Sequence, residues 1–69
     1  MEGMNIFLNG EPKTLATQNT VLDLLQELAL ADKRVAVEVN GDIVPRSQHA
    51  TRELAEQDQV EIVVAVGGG

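Results

Sequence analysis

The sequence predicts an α+β domain in which one α-helix packs across a mixed sheet of about five strands. Two Asn-Gly pairs each stand between short runs of strand-forming residues, and this dipeptide is the strongest short-range signal for a hairpin turn. One segment carries leucines at helical spacing, and a run of β-branched residues stands near the end of the chain. With 69 residues, the chain has room for one domain only.

The first hairpin is predicted in the segment MNIFLNGEPKTL. Asn9 and Gly10 form its turn, because both residue types tolerate a positive φ. Pro12 lies in the return strand and has no backbone N–H. We therefore expect the return strand to lie at an edge of the sheet.

The one clear helix is predicted in NTVLDLLQELALA. Thr20 is a good N-cap, and Asp23 stands three residues later in an arrangement that resembles a capping box. An apolar stripe at helical spacing is formed by Val21, Leu24, Leu25 and Leu28. We expect this stripe to pack in the core rather than bind a partner. Helix propensity is high through Leu30, and Asp32 and Lys33 then break the pattern.

A second hairpin is predicted in RVAVEVNGDIVPR. Its first strand alternates Val35, Val37 and Val39 with Ala36 and Glu38, as a half-buried strand does. Asn40-Gly41 makes the turn. Pro45 then ends the regular pairing.

The segment SQHATRELAEQDQ is polar and predicts an irregular crossover with one helical turn around residues 47–50. Leu54 is its expected anchor to the core, and His49 is expected on the surface of this loop. The last strand, QVEIVVAV, places Val60, Ile62 and Val64 on one face. Its nearly continuous apolar run predicts a central strand covered on both faces.

The predicted order is therefore hairpin, helix, hairpin, crossover and strand, which is the order of a β-grasp domain. The final strand lies between the two hairpins in that arrangement. We expect the domain to span residues 1–66, with residues 1–3 as an N-terminal extension. Residues 67–69 are predicted to form a flexible glycine tail.

Composition and charge argue against several functions. The net charge is −6, which would repel nucleic acid. The chain has no cysteine and no long apolar stretch, so we expect a cytoplasmic protein that binds no membrane. We expect no enzyme and no metal site, because His49 is the only histidine and Ser47 the only serine. Arg46 is expected to pair with a nearby carboxylate.

The glycine tail is the remaining candidate for chemistry. The terminal carboxylate of Gly69 becomes an acyl donor only when it gains a good leaving group, for example by conversion to an acyl-adenylate. Gly67 and Gly68 have no side chains, so they could thread a narrow channel. Three extended residues reach about 10 Å. The tail could therefore enter another protein's active site while the domain stays outside.

The chain resembles the ThiS family, the sulfur carrier proteins of thiamin thiazole synthesis, over almost its whole length from Met4. The matching segments are FLNGE, TVLDLLQEL, VAVEVNGDIVPR and the terminal Gly-Gly. VNGDIVPR is the most specific, and it separates the chain from the small subunits of molybdopterin synthase. Two features depart from the family: His49 stands where an aromatic residue is usual, and Gln57-Asp58-Gln59 stands where Asp-Gly-Asp is common.

The resemblance implies a ubiquitin-like β-grasp fold and a role as a sulfur carrier. An E1-like adenylyltransferase of the ThiF type would adenylate Gly69 with ATP and magnesium, while the chain itself would bind no cofactor. A persulfide sulfur donor would then convert the terminus to a thiocarboxylate for a thiazole synthase of the ThiG type. Gly67 and Gly68 would thread into the partners' active sites. Val64 and Val66 are candidates either for an apolar docking surface near the tail or for packing in the core.

Two alternatives remain open from the residues. The same chemistry could serve molybdopterin synthesis, another sulfur-transfer route or ubiquitin-like attachment to lysines. The chain could also be a β-grasp interaction module with an inert tail. We expect a monomer when the protein is free, since a carrier that visits two enzymes gains from being one.

Overall fold

The computed structural model describes residues 3–16 and 19–65. Its elements are β1 (Met4–Leu8), β2 (Glu11–Leu15), α1 (Val21–Glu27), β3 (Val35–Val39), β4 (Asp42–Val44), a 3-10 turn (Arg46–Gln48) and β5 (Gln59–Val64). The five strands form one sheet in the order β2-β1-β5-β3-β4. β1 and β5 are parallel, and the other pairs are antiparallel. The mixed sheet with one helix confirms the predicted fold class.

Both predicted hairpins are present, and their turns have nearly the same geometry. Asn9 and Gly10 have φ values of 50° and 85°, and Asn40 and Gly41 have 53° and 87°. Two consecutive positive φ values match the type I′ turn that suits the twist of antiparallel strands. Pro12 lies in β2, at the edge of the sheet, as predicted.

The predicted N-terminal cap of α1 is confirmed. Thr20 Oγ1 accepts from the Asp23 N–H at 3.1 Å, and the Thr20 N–H donates to Asp23 Oδ2 at 3.0 Å. The N–H groups of Val21 and Leu22 donate to backbone carbonyls of the crossover at 2.9 and 2.8 Å. The first three N–H groups of the helix, which have no partner within it, are therefore all satisfied.

The helix ends earlier than the sequence predicts. α1 stops at Glu27, and Ala29 has a φ of 60°. The Ala29 N–H donates to Gln26 O at 3.1 Å, and the Leu30 N–H donates to Leu25 O at 2.8 Å. This pair of bonds is the Schellman arrangement that ends a helix. The prediction of a helix through Leu30 was wrong. Helix propensities rate alanine as a strong helix former and give no indication that Ala29 adopts a left-handed backbone conformation.

The core lies between α1 and one face of the sheet. Its least exposed large side chains are Ile6, Val21, Leu24, Leu25, Val37, Val39 and Val60. Leu54 is buried and anchors the crossover, as predicted. β5 is central, but the prediction that both of its faces are covered was wrong. Glu61 and Val63 point to the opposite face from Val60 and are exposed.

His49 corrects the prediction of a surface loop residue. Its side chain is only 7% exposed, and its Nε2 lies 3.1 Å from the carbonyl oxygen of Val44. The 3-10 turn begins at Arg46, one residue earlier than predicted. The His49 carbonyl accepts from the Leu22 N–H at 2.8 Å. The crossover is thus bonded to the start of the helix, which brings His49 into the interior.

Candidate functional site: the carboxyl end of the central strand

The central strand β5 leads towards the predicted glycine tail, and its two neighbours hold it unequally. β1 pairs with β5 only at Phe7–Gln59 and Leu8–Val60. β3 pairs with β5 along the strand, from Val39–Val60 to Val35–Val64. The second half of β5 therefore has a complete backbone ladder on one side only.

Asn9 extends the pairing on the β1 side by one step. Its N–H donates to Val60 O at 2.8 Å. Its side-chain Oδ1 accepts from the Ile62 N–H at 2.9 Å, and its Nδ2 donates to Ile62 O at 3.3 Å. The side chain thus bonds to β5 where another strand residue would otherwise pair. From the sequence, Asn9 was predicted only as a turn residue, because no local pattern indicates that its side chain bonds to Ile62, 53 residues away.

Asn40, in the second hairpin turn, holds the amino end of β5. Its N–H donates to Gln59 O at 2.8 Å, and its Oδ1 accepts from the Gln59 N–H at 2.9 Å. Its Nδ2 donates to Asp58 Oδ1 at 2.9 Å, and Asp58 Oδ2 accepts from the Ala55 N–H at 2.8 Å. The buried Asp58 therefore joins the crossover to both the turn and the strand.

The turn before β5 carries a perturbed carboxylate. Glu56 Oε1 accepts from the Asn5 N–H at 2.9 Å, and this bond is the main cause of a pKa below the ordinary Glu value. The side chain of Gln57 also donates to Glu56, at 3.2 Å, and lowers the pKa further. Gln57 itself has a φ of 70°, a conformation that favours glycine.

The chain leaves the sheet beside Arg34. The Ala65 N–H donates to Arg34 O at 2.8 Å, just after the last residue of β5. The predicted tail residues Gly67, Gly68 and Gly69, and the docking candidate Val66, lie outside the described residues. Their roles stay predictions.

Val64, the other docking candidate, is 43% exposed at the end of β5. Two residues that the sequence analysis did not select are more exposed, Ile43 at 64% and Val63 at 63%. Ile43 pairs with Glu38 and Val63 pairs with Ala36, two positions apart on β3. Ile43 and Val63 therefore share the face of the sheet opposite the helix. The sequence did contain a signal for this exposed surface, because apolar residues in β5 occupy positions on both faces of the strand.

A pocket of about 260 Å³ lies where the start of β3, the 3-10 turn and the end of β5 meet. Its lining includes Lys33, Arg34, Arg46, His49 and Ala65. Among the described residues the only ion pair joins Lys13 to Glu27, at 2.9 Å. The predicted pairing of Arg46 with a nearby carboxylate is therefore not found in this part of the chain.

The described ranges, 3–16 and 19–65, contain no group of three or more His, Asp or Glu side chains placed to bind a metal ion. Over the same ranges, no helix is long and apolar enough to cross a membrane. The distinctive features of this region are therefore the clamped central strand, the exposed apolar face and the basic pocket.

Three comparisons with known proteins agree with this geometry. The sequence model described as the ThiS family matches residues 6–69. The sulfur carrier protein ThiS of Bacillus subtilis is 40% identical over 63 residues, which cover 90% of this chain and 96% of that protein. A crystal structure of thiamine biosynthesis protein ThiS from Geobacter metallireducens superposes with a TM-score of 0.81 at 35% identity, covering 96% of this chain and 100% of the other.

A longer relative contains a segment similar to this chain. A thiazole synthase of Paramagnetospirillum magneticum is 41% identical over 66 residues, 96% of this chain. The chain spans only 20% of the length of that protein. The family match and the structural likeness extend over nearly all of the present sequence. The chain therefore belongs to the ThiS family, whose β-grasp fold it shares.

Proposed function

We propose that this protein is a sulfur carrier for the thiazole of thiamin, and that the carboxylate of Gly69 is its reacting group. The observation that carries the proposal is the match to the ThiS family through residue 69. The fold adds a physical reason. Central strand β5 leads to Ala65, and the four residues after it reach at most about 14 Å when extended. A partner could therefore hold the domain outside while the terminus enters its active site.

The proposed chemistry takes place in partner enzymes. A ThiF-type adenylyltransferase joins the Gly69 carboxylate to AMP from MgATP and releases pyrophosphate. The terminal sulfur of a persulfide donor attacks the acyl carbon, and AMP leaves. A thiol then cleaves the S–S bond, which leaves a thiocarboxylate on Gly69. The chain provides the acyl group and the docking surface, and it is not itself an enzyme.

We also propose that a ThiG-type thiazole synthase is the sulfur acceptor. The similarity of one segment of a thiazole synthase to this chain supports this choice over molybdopterin synthesis. A carrier segment within the acceptor's own polypeptide would have a high effective concentration near its active site. The lack of cysteine in the chain fits a reducing cytoplasm.

The exposed residues Ile43 and Val63 form the proposed docking surface for these enzymes, on the sheet face opposite the helix. Val64, which lies on the other face of β5, and Val66 are proposed as separate contacts nearer the tail. Apolar side chains exposed together on one sheet face commonly mark an interaction site. Glu38 and Glu61 lie directly opposite each other on the same face. Like charges in that position destabilise a sheet, so their presence fits a partner that brings a positive charge.

An intact-mass measurement tests the proposal. The chain is incubated with the activating enzyme of its own cell, MgATP, a persulfide donor and a thiol. We expect one terminal oxygen to be exchanged for sulfur, and the loaded chain to pass that sulfur to thiazole synthase. A chain without Gly69 and a chain with one extra residue after Gly69 should both stay unmodified.

Three outcomes would favour the alternatives to this proposal. An unchanged mass, with an activating enzyme that loads another carrier, would favour an interaction module with an inert tail. Loading without transfer to thiazole synthase would favour a molybdopterin-type route or another acceptor. Amide-linked conjugates in cell extracts would indicate a ubiquitin-like modifier.

A further inference from the structure

The basic pocket at the end of β5 concentrates the positive charge of an acidic protein. The chain has five Lys and Arg residues against eleven Asp and Glu. Three of those five cations, Lys33, Arg34 and Arg46, line this one pocket, and no Asp or Glu lines it. Of the remaining two, Lys13 is paired with Glu27 on another part of the surface. Solubility alone does not require three of the five cations to lie at one place on the surface.

The three cations come from two separate backbone segments, since Lys33 and Arg34 are neighbours before β3 and Arg46 lies in the 3-10 turn. Lys33 is in the turn before β3, where its N–H donates to Leu30 O at 3.0 Å. Arg34 accepts from Ala65 through its carbonyl, and Arg46 begins the 3-10 turn. The three side chains are exposed, and in the described part of the chain none has a carboxylate within 4.0 Å. The fold therefore brings three positive charges together and leaves them available for a partner.

The position and lining of the pocket indicate a protein occupant. Ala65 lines the pocket, so any enzyme that takes the following residues into its active site must pass close to it. Leu25 and His49 add buried surface beside the cations. The volume, about 260 Å³, is below the roughly 300–1,000 Å³ of ordinary small-molecule sites. The net charge of −6 would repel a long polyanion such as nucleic acid.

We propose that this pocket docks an acidic loop of the enzyme that activates Gly69, with Asp or Glu side chains contacting Lys33, Arg34 and Arg46. This inference rests on the proposed function, because it names a partner that acts on the tail. The pocket lies at the base of the tail, so the contact orients the domain at the mouth of the partner's active site. The main expected effect is on encounter and orientation, as is usual for charges at the edge of an interface.

Charge neutralisation tests the proposal. The triple variant Lys33→Gln, Arg34→Gln and Arg46→Gln removes the pocket's charges, and Arg52→Gln is a matched control outside it. We expect the triple variant to bind the activating enzyme about tenfold more slowly at low salt, because steering by charge is lost. The difference should shrink as salt is added. The melting temperature should be unchanged, because the three side chains are exposed.

Zero-length coupling with a carbodiimide identifies the contact directly, because this reagent joins a lysine amine to a carboxylate that touches it. The chain has only two lysines, Lys13 and Lys33. We expect an intermolecular cross-link from Lys33 to an Asp or Glu of the enzyme and none from Lys13. Cross-links from Lys13 alone would overturn the proposal.

The remaining outcomes separate this proposal from the proposed function. If the wild-type chain is loaded with sulfur but the triple variant binds equally fast, the docking proposal fails and the carrier function stands. If inorganic phosphate at low millimolar concentration shifts the Arg34 and Ala65 amide signals of the wild type only, and the triple variant still binds the enzyme equally fast, the pocket is a small-anion site instead. If the wild type neither binds the enzyme nor is loaded, both proposals fail.

Discussion

The two ends of β5 are held in different ways, and the difference fits the role proposed for the tail. At the amino end, Gln59 lies between Phe7 and the clamp of Asn40, with Asp58 buried beside it. At the carboxyl end, the β1 side provides only the Asn9 side chain at Ile62. Under the proposed function, a partner takes up the residues after β5, and firm anchoring at the amino end would keep the domain folded while it does so.

Asp58→Ala should cause the largest loss of stability, about 2–3 kcal/mol in the free energy of unfolding. Asp58 is buried, and it accepts bonds from the Ala55 N–H and the Asn40 side chain. Alanine would leave both donors unpaired at the amino end of β5. Urea unfolding followed by circular dichroism would measure the change. A loss below about 0.5 kcal/mol, the usual size for an ordinary surface site, would show that this end is not the firm anchor.

The two turn asparagines offer a matched pair, since both precede glycine and both have positive φ. Asn40→Gly should lower the free energy of unfolding by about 1–2 kcal/mol, and Asn9→Gly should lower it by about 1 kcal/mol. The loss at Asn40 is larger because its side chain also donates to the carboxylate of Asp58. Glycine keeps the turn and removes only the side-chain bonds.

Amide hydrogen exchange would locate the two effects. Asn40→Gly should speed exchange at the Gln59 N–H more than at Ile62, and Asn9→Gly should do the reverse, because each N–H donates to that side chain. Equal acceleration at both amides in both variants would mean that β5 opens as one unit, and the contrast between its ends would then be wrong.

Gln57→Gly, just before the amino end of β5, should raise the free energy of unfolding by about 0.5–1 kcal/mol. Gln57 has a φ of 70°, which costs an L-residue about 1–2 kcal/mol, and the greater chain entropy of glycine offsets part of the gain. Thermal unfolding would measure the increase. Gln59→Gly, in the strand two residues later, is the control and should lower stability.

The smallest effect is a pH dependence from Glu56. Its pKa is lowered in the folded state, chiefly by the Asn5 N–H. The folded state therefore binds this proton less readily than the unfolded state. The resulting stability is present above the unfolded pKa, about 4.3 for Glu, and is lost as the pH falls through the lower folded value.

Glu56→Gln should remove that part of the acid dependence. Stability curves of the variant and the wild type, measured between pH 7 and pH 3, should converge as the solution becomes acidic. Glu53→Gln is a matched control, since Glu53 is an exposed carboxylate of the same crossover. A wild-type curve that stays parallel to the Glu56→Gln curve would contradict the prediction.

Local sequence patterns were enough to predict the element order, both Asn-Gly turns and the helix cap at Thr20, and they suggested the tail hypothesis. These features depend on local chemistry, such as positive φ at asparagine and glycine or a hydroxyl three residues before an N–H. Two of the predictions that were wrong, at His49 and at β5, depend on distant partners. His49 is buried because the crossover bonds to the start of α1, and β5 has an exposed face because one helix covers only one side of the sheet.

Two relations became visible only in the folded protein: the clamping of β5 by Asn9 and Asn40, and the approach of Arg46 to Lys33 and Arg34 beside Ala65. No local pattern reports these relations, because the partners are far apart in sequence and come together only when the sheet forms. The physical reason is the same in each case: a turn or a cap is satisfied by its immediate neighbours, whereas a clamp or a pocket exists only where the folded chain brings separate segments into contact.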